Sequence, residues 1–341
     1  MEAPVGSGPN DMHRACRKVV GLAGIVLFCA SFRTANADEA GVSFWLPGQY
    51  AAFAAEPGKP GLSFEAAFYH ATASAQRSVS FERDGHIDVG VKSPSDFVML
   101  TPTYTFDTTI LGGQPAFGMT ALVGRNVTSV AATLTGPQGD TFSGSRSDRV
   151  VGFGDLNPNA TLKWNKDVHN FMIYATAGIP VGAYNTEQLA ALGLGHWSVD
   201  GGGGYTYYDE KAGIEFSAVA GLTYNFINPY TQYRSGNDFH LDLSFSPYVG
   251  ETMHIGAAGY FYDQVSGDSG TGAVLGDFKS RVAGAGPQIG FFLPIGDREG
   301  YLNLRSYYEF AAEHRLPGWN MFVTFSVEPP EQRSSLLAAR R

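Results

Sequence analysis

Phe239-His240-Leu241-Asp242-Leu243-Ser244-Phe245-Ser246-Pro247-Tyr248-Val249 puts Phe239, Leu241, Leu243, Phe245, Pro247 and Val249 on one face and His240, Asp242, Ser244, Ser246 and Tyr248 on the other. A period of two marks a strand with unlike faces, because successive side chains leave opposite sides of the pleat. Leu156, Pro158, Ala160, Leu162 and Trp164 likewise oppose Asn157, Asn159, Thr161, Lys163 and Asn165. Over 214–226, Ile214, Phe216, Ala218, Ala220, Leu222, Tyr224 and Phe226 stand against Glu215, Ser217, Thr223 and Asn225. Trp319, Met321, Val323, Phe325 and Val327 repeat the pattern against Asn320, Thr324 and Ser326. Segments of about ten residues, apolar on one side and polar on the other, fit a transmembrane barrel wall. A soluble β-sandwich alternates too.

Connection lengths separate the two. Strands are expected over 62–73, 95–106, 114–133, 152–165, 169–180, 196–208, 213–226, 238–250, 252–263, 277–293, 300–311 and 318–327. Longer gaps at 74–94, 134–151, 181–195, 227–237, 264–276 and 312–317 then alternate with shorter ones. Long extracellular loops facing short periplasmic turns identify an all-β, antiparallel transmembrane barrel of about twelve strands, with 10 and 14 as the neighbouring counts, and both termini in the periplasm. Trp164, Trp197, Tyr205, Tyr207, Tyr230, Tyr260, Tyr262, Tyr301, Tyr307, Tyr308 and Trp319 are expected at strand ends, at the two membrane interfaces.

Composition agrees. The 341 residues are 44% hydrophobic and 13% aromatic but only 16% charged, with 43 glycines. Soluble domains carry roughly 25% charge. No apolar run reaches the roughly 20 residues of a membrane helix, and the aromatic content excludes disorder. Residues 1–37 read as a secretory signal: basic His13, Arg14, Arg17 and Lys18, an apolar stretch from Val19 to Phe32, then Ala35-Asn36-Ala37, with cleavage between Ala37 and Asp38. Val26 and Phe28 stand where lipoprotein processing at Cys29 wants small residues. Cys16 and Cys29 both fall inside the signal. The mature chain therefore has no disulfide, thiolate metal site or cysteine nucleophile. No cofactor is implied. The remainder is more acidic than the formal −9 of the whole chain, which excludes nucleic acid as a partner.

Several motifs carry a resemblance. Gly41-Val42-Ser43-Phe44-Trp45-Leu46-Pro47-Gly48 with Pro57-Gly58-Lys59-Pro60-Gly61 opens the set, followed by Gly152-Phe153-Gly154-Asp155-Leu156, Ile179-Pro180-Val181-Gly182-Ala183-Tyr184 and Gly202-Gly203-Gly204-Tyr205-Thr206-Tyr207. Leu275-Gly276-Asp277-Phe278-Lys279-Ser280-Arg281, Gly286-Pro287-Gln288-Ile289-Gly290 and Gly318-Trp319-Asn320 complete it. Together they resemble the outer-membrane transporters of the "meta-pathway of phenol degradation" family. The resemblance runs from Gly41 to Val327 and implies a barrel that takes up aromatic or other hydrophobic compounds, inserted into outer-membrane lipid by the barrel-assembly machinery. Such barrels usually end on an aromatic residue, whereas here the 328–341 tail follows.

Within the expected barrel of 62–327, polar-face positions assign Glu65, Lys163, Glu215, His240, Asp242 and Arg305 to the lumen, and Lys279 and Arg281 to its mouth. On this reading Leu243→Arg is costly and Asp242→Asn nearly neutral. Residues 38–61 are too rich in Pro and Gly for a wall strand, yet Phe44, Trp45, Leu46, Pro47 and Tyr50 give them apolar anchors. They are expected to plug the lumen against Gly201 to Gly204; an extended periplasmic tail is the alternative. Gly267-Asp268-Ser269-Gly270 is read as a turn and not as a protease nucleophile setting. A channel for small hydrophobic or aromatic compounds is the leading function. A lipid-modifying outer-membrane enzyme and a structural or adhesive barrel are the alternatives.

Overall fold

Alternation along the chain builds twelve antiparallel strands, and pairing of the first with the last closes them into a barrel. The structure is a computed structural model describing residues 43–81, 85–136, 139–274, 276–277 and 279–330. The signal-peptide reading, Ala37 and Asp38 included, and the tail beyond 330 lie outside the described residues. In chain order the strands are β1 (Gly61–Phe81), β2 (Gly85–Thr105), β3 (Gln114–Thr135), β4 (Thr141–Lys166), β5 (His169–Gly178), β6 (Ser198–Asp209), β7 (Ile214–Asn225), β8 (Asp238–Pro247), β9 (Met253–Gln264), β10 (Arg281–Ile295), β11 (Arg298–Glu313) and β12 (Gly318–Val327). The seam between β1 and β12 runs from Phe64 opposite Val327 to Ala73 opposite Gly318.

The two faces sort as the alternation requires. In β8, His240, Asp242, Ser244 and Ser246 are buried inside, while Leu243 and Phe245 are exposed outside. Phe64, Phe68, Leu100, Phe117, Ile173, Leu222, Leu304 and Phe325 extend that exposed apolar belt around the wall. Exposed apolar surface on this scale belongs against lipid.

The expected loops 74–94 and 134–151 are instead mostly strand. β1 to β4 run 21, 21, 22 and 26 residues, about twice what a bilayer crossing needs. Their outer halves rise past the seam as a four-stranded flap, tied by Ser129 to Ser147 and Thr133 to Ser143 hydroxyl contacts. The flap's strand signal is short: Ile87, Val89 and Val91 alternate with His86, Asp88 and Lys92, but Ser, Thr and charged residues dominate the flap halves of β1 and β4. Two smaller corrections concern ends: β10 starts at Arg281 and not at 277, and the β10–β11 turn is only Gly296 and Asp297. β3 is one strand with a bulge between Ala121 and Val123.

Candidate functional site

Inward side chains fill much of the barrel. Tyr69, Phe97, Met99, Tyr260, Tyr262, Val282, Tyr307 and Phe322 form a buried apolar cluster across β1, β2 and β9 to β12. This corrects the expected interfacial belt: Tyr260, Tyr262 and Tyr307 are 4%, 0% and 1% exposed and face the lumen. Tyr301 also points in, its hydroxyl 2.8 Å from His254 Nε2. A Tyr needs one apolar face and one hydrogen-bond partner. The inner wall supplies both, as where Tyr260 donates to Glu309 at 2.8 Å and accepts from Asn320 at 2.8 Å.

Residues 43–60 run inside this wall. Too rich in proline and glycine to join a sheet, the segment takes its backbone partners from inward side chains. Asp242 accepts from Gly48 N at 2.8 Å and Tyr50 N at 3.1 Å. Glu215, fully buried, accepts from Phe53 N at 3.2 Å, Ser217 Oγ at 2.5 Å and Ser244 Oγ at 3.1 Å. Thr206 Oγ1 accepts from Ala55 N at 3.0 Å. Arg305 donates to Gly48 O at 3.1 Å and Gln49 O at 2.9 Å, and its guanidinium lies over Phe322. Lys163 Nζ donates to Glu56 O at 3.0 Å. Gly48, at φ 81°, lies so close to Tyr307 that a β-carbon would come within 2.8 Å of the ring.

The apolar anchors sit among wall residues. Trp45 is 2% exposed and packs with Ala54, Ala55, Met172, Tyr174 and Val219. Pro47 is buried, and Leu46 packs against the large aromatic cluster. Phe44 fills the space beside Gly178, where a β-carbon would come within 2.8 Å of its ring. The glycine run Gly201 to Gly204 differs from expectation in detail. Its inward members Gly202 and Gly204 make room for Tyr174 and Met172, whose atoms lie 2.7 and 2.9 Å from where β-carbons would stand. Tyr174 then carries Trp45, with ring centroids 5.8 Å apart. The glycines thus receive wall side chains, and those receive the segment.

His240 Nε2 lies 3.0 Å from Asp200 Oδ2 and 3.2 Å from Tyr174 Oη, all within the wall. Glu65 projects from β1 into the central cavity. Lys279 is exposed in the β9–β10 connection. Arg281 pairs with Glu313 on the outer face, opposite in parity to buried Val282. Asp268 is a loop hub, accepting from Tyr233 Oη, Gln264 Nε2 and Gly236 N.

One contributor was not expected. The 179–197 connection folds inward from the end opposite the termini, where Asp155 accepts from Gly182 N at 2.8 Å and Leu194 N at 2.9 Å. Asn126 Nδ2 holds Ala191 O at 3.1 Å. Its Ala-Leu run reads in sequence as an ordinary loop, and only the surplus of apolar residues in Leu189-Ala190-Ala191-Leu192 hinted at burial. Between this loop, the N-terminal segment and the wall lies a cavity of about 620 Å³. Tyr50, Phe53, Met99, Phe292 and Tyr301 line it beside Glu65, Lys163 and Arg305. Burial pushes the nearby Glu56 carboxyl up to about 7, against the pull of Lys163.

A family model described as "Putative MetA-pathway of phenol degradation" matches residues 71–325. The chain belongs to this family. No curated protein matches it in sequence. Among solved structures, this family member is similar to an outer membrane channel from Pseudomonas putida F1 (TM-score 0.57, 15% identity, 83% of this chain and 99% of that one). A FadL homologue from Pseudomonas aeruginosa gives TM-score 0.40 at 7% identity over 80% and 90%. The CymD monoaromatic hydrocarbon channel gives 0.38 at 6% over 81% and 90%. The first likeness concerns the fold alone.

Proposed function

We propose that the protein is an outer-membrane channel, not an enzyme, that admits small hydrophobic and aromatic compounds. The observation that carries this is the cavity, whose lining combines aromatic rings with charged and neutral polar groups inside a wall belted with apolar residues. Such a lining suits a solute with an apolar body and one polar handle. The family's description, phenol degradation, agrees with that chemistry. Residues 43–60 act as the constriction, reaching from the end carrying the termini to Phe44 beside Gly178, with Glu215, Asp242 and Arg305 as its anchors and Glu65 and Lys163 as pore-lining charges. Both termini lie in the periplasm, a reading supported by the three longest connections, 179–197, 226–237 and 265–280, which all stand at the opposite end. Initial uptake of labelled phenol and toluene, measured in cells with and without the gene, tests the reading. Faster uptake of both, with glucose unchanged, is the expected result; equal rates in the two strains would sink it.

A further inference from the structure

Phe53 sits in a cage of five aromatic rings. Its ring meets Tyr208, Tyr248, His254, Phe292 and Tyr301 at centroid distances of 5.3, 6.4, 5.4, 5.6 and 5.7 Å. All five contacts are edge-to-face, with interplanar angles from 66° to 86°. That arrangement sets ring edges against ring faces, which an aromatic quadrupole favours and a saturated ring does not exploit.

The cage stands without Phe53. Tyr248 stacks on Phe292 at 10° and His254 on Tyr301 at 15°. Tyr248 Oη donates to Tyr208 Oη at 3.2 Å, and the His254–Tyr301 hydrogen bond closes the other side. These side chains come from β6, β9, β10, β11 and the turn after β8, so the wall itself holds them in place. Phe53, by contrast, is only half-buried and belongs to a segment held by backbone hydrogen bonds. Its φ of 63° lies in the left-handed region that a side chain bearing a β-carbon rarely adopts. Releasing the turn relieves that strain. The cavity reaches the same place, because Phe53, Tyr208, Phe292 and Tyr301 all line it.

We infer that the cage is a binding site for one six-membered aromatic ring and that Phe53 is its built-in occupant. A solute ring leaving the cavity toward the end carrying the termini takes the cage from Phe53, and Phe53 returns when the solute departs. This rests on the channel reading above and adds to it the site and the size of the ring. It also explains why a Phe, and not a second Trp, stands at the turn: a single ring matches the cage.

The test uses the full chain carrying 4-fluorophenylalanine at position 53 alone, titrated with toluene and, separately, with methylcyclohexane. Toluene is expected to shift the fluorine resonance saturably, and methylcyclohexane to leave it in place at equal concentration. Phe53→Ala, which empties the cage, should bind toluene about tenfold more tightly by titration calorimetry if the cage is otherwise open a tenth of the time. A resonance that ignores toluene, in a protein that still speeds toluene uptake by cells, overturns the cage while leaving the channel standing. Equal shifts by toluene and methylcyclohexane would also overturn it, and absent uptake removes the reading on which it rests.

Discussion

The indole of Trp45 lies flat on the imidazole of His240, with ring centroids 3.6 Å apart and planes 13° from parallel. Both rings are buried, so the stack joins the N-terminal segment to β8 in the barrel interior. Truncating a buried Trp costs about 3–5 kcal/mol. Trp45→Ala should therefore release residues 43–60 to protease while the barrel keeps its heat-modifiable gel mobility. A segment as protected as the wild type would show that Asp242 and Arg305 hold it unaided.

Asp242 and Leu243 are neighbours with opposite roles. Leu243→Arg should cost the barrel about 2–4 kcal/mol if the site is near the midplane, read as a lower urea midpoint. Asp242→Asn, nearly neutral on sequence grounds, instead leaves one of the two backbone donors of Gly48 and Tyr50 without an acceptor. A buried donor so stranded costs about 1–3 kcal/mol. The wall should unfold as before while single-channel conductance rises; wild-type conductance would refute the anchoring role.

Thiol mapping separates wall, cavity and covered positions. Cysteines at 65 and 163 face the cavity and should react with a water-soluble reagent, whereas cysteines at 162 and 243 face lipid and should not. Position 215 is fully buried beneath Phe53 N and should react only once the segment is removed. Prompt labelling at 215 in the intact chain would reject the packing.

The strand number and the faces of β7 and β8 were legible because each of those strands has water or polar groups on one side and lipid on the other. Where that contrast fails, so does the reading. Phe322 is marked as inward only by sharing the parity of Asn320 and Thr324; its own chemistry, apolar like that of Met321 and Val323, is silent. Tyr260-Phe261-Tyr262 and Tyr307-Tyr308 are silent in the same way, which is why inward tyrosines were placed at the interface. The flap strands were missed for another reason: a short alternating run such as Ile87, Val89 and Val91 sits among Ser, Thr, Gly and charged residues that read as loop. The segment's anchors were visible as Phe44, Trp45 and Tyr50, but the wall groups that hold the segment lie far off in sequence, 259 positions between Gly48 O and Tyr307 Oη.

Conductance should respond to pH through Glu56. Its docked carboxyl titrates at about 7 against an ordinary 4.5, with Lys163, Glu299, Glu210 and Glu328 nearby. The docked form therefore keeps a proton that the undocked form has lost between those values. Docking is strongest below 4.5, weakens by at most about 1.4 kcal/mol per pH unit up to about 7, and then levels off. Conductance is expected to be lower at pH 5 than at pH 7.5, and Glu56→Gln to flatten the difference. A profile identical in both proteins would assign the pH response elsewhere.

Deleting 41–61 should remove the proposed constriction as a whole. The barrel should still insert, with higher conductance and a smaller preference for toluene over glucose in uptake. Unchanged conductance in an inserted deletion would leave the selectivity to the 179–197 loop.

The seam has a consequence for the order of assembly. Phe64 meets Val327 only after nearly all the intervening chain is in place, and closing so long a loop carries the largest entropic penalty of any strand pairing in the molecule. Zipping β12 onto β1 is therefore the expected last step of wall formation. Arg305 and Asp242, which grip Gly48, come together only in the curved wall that this step completes. On that order the first described residues of the chain are expected to be among the last to find their places, so that each newly made barrel would pass through an unobstructed stage before it is fitted with its own stopper.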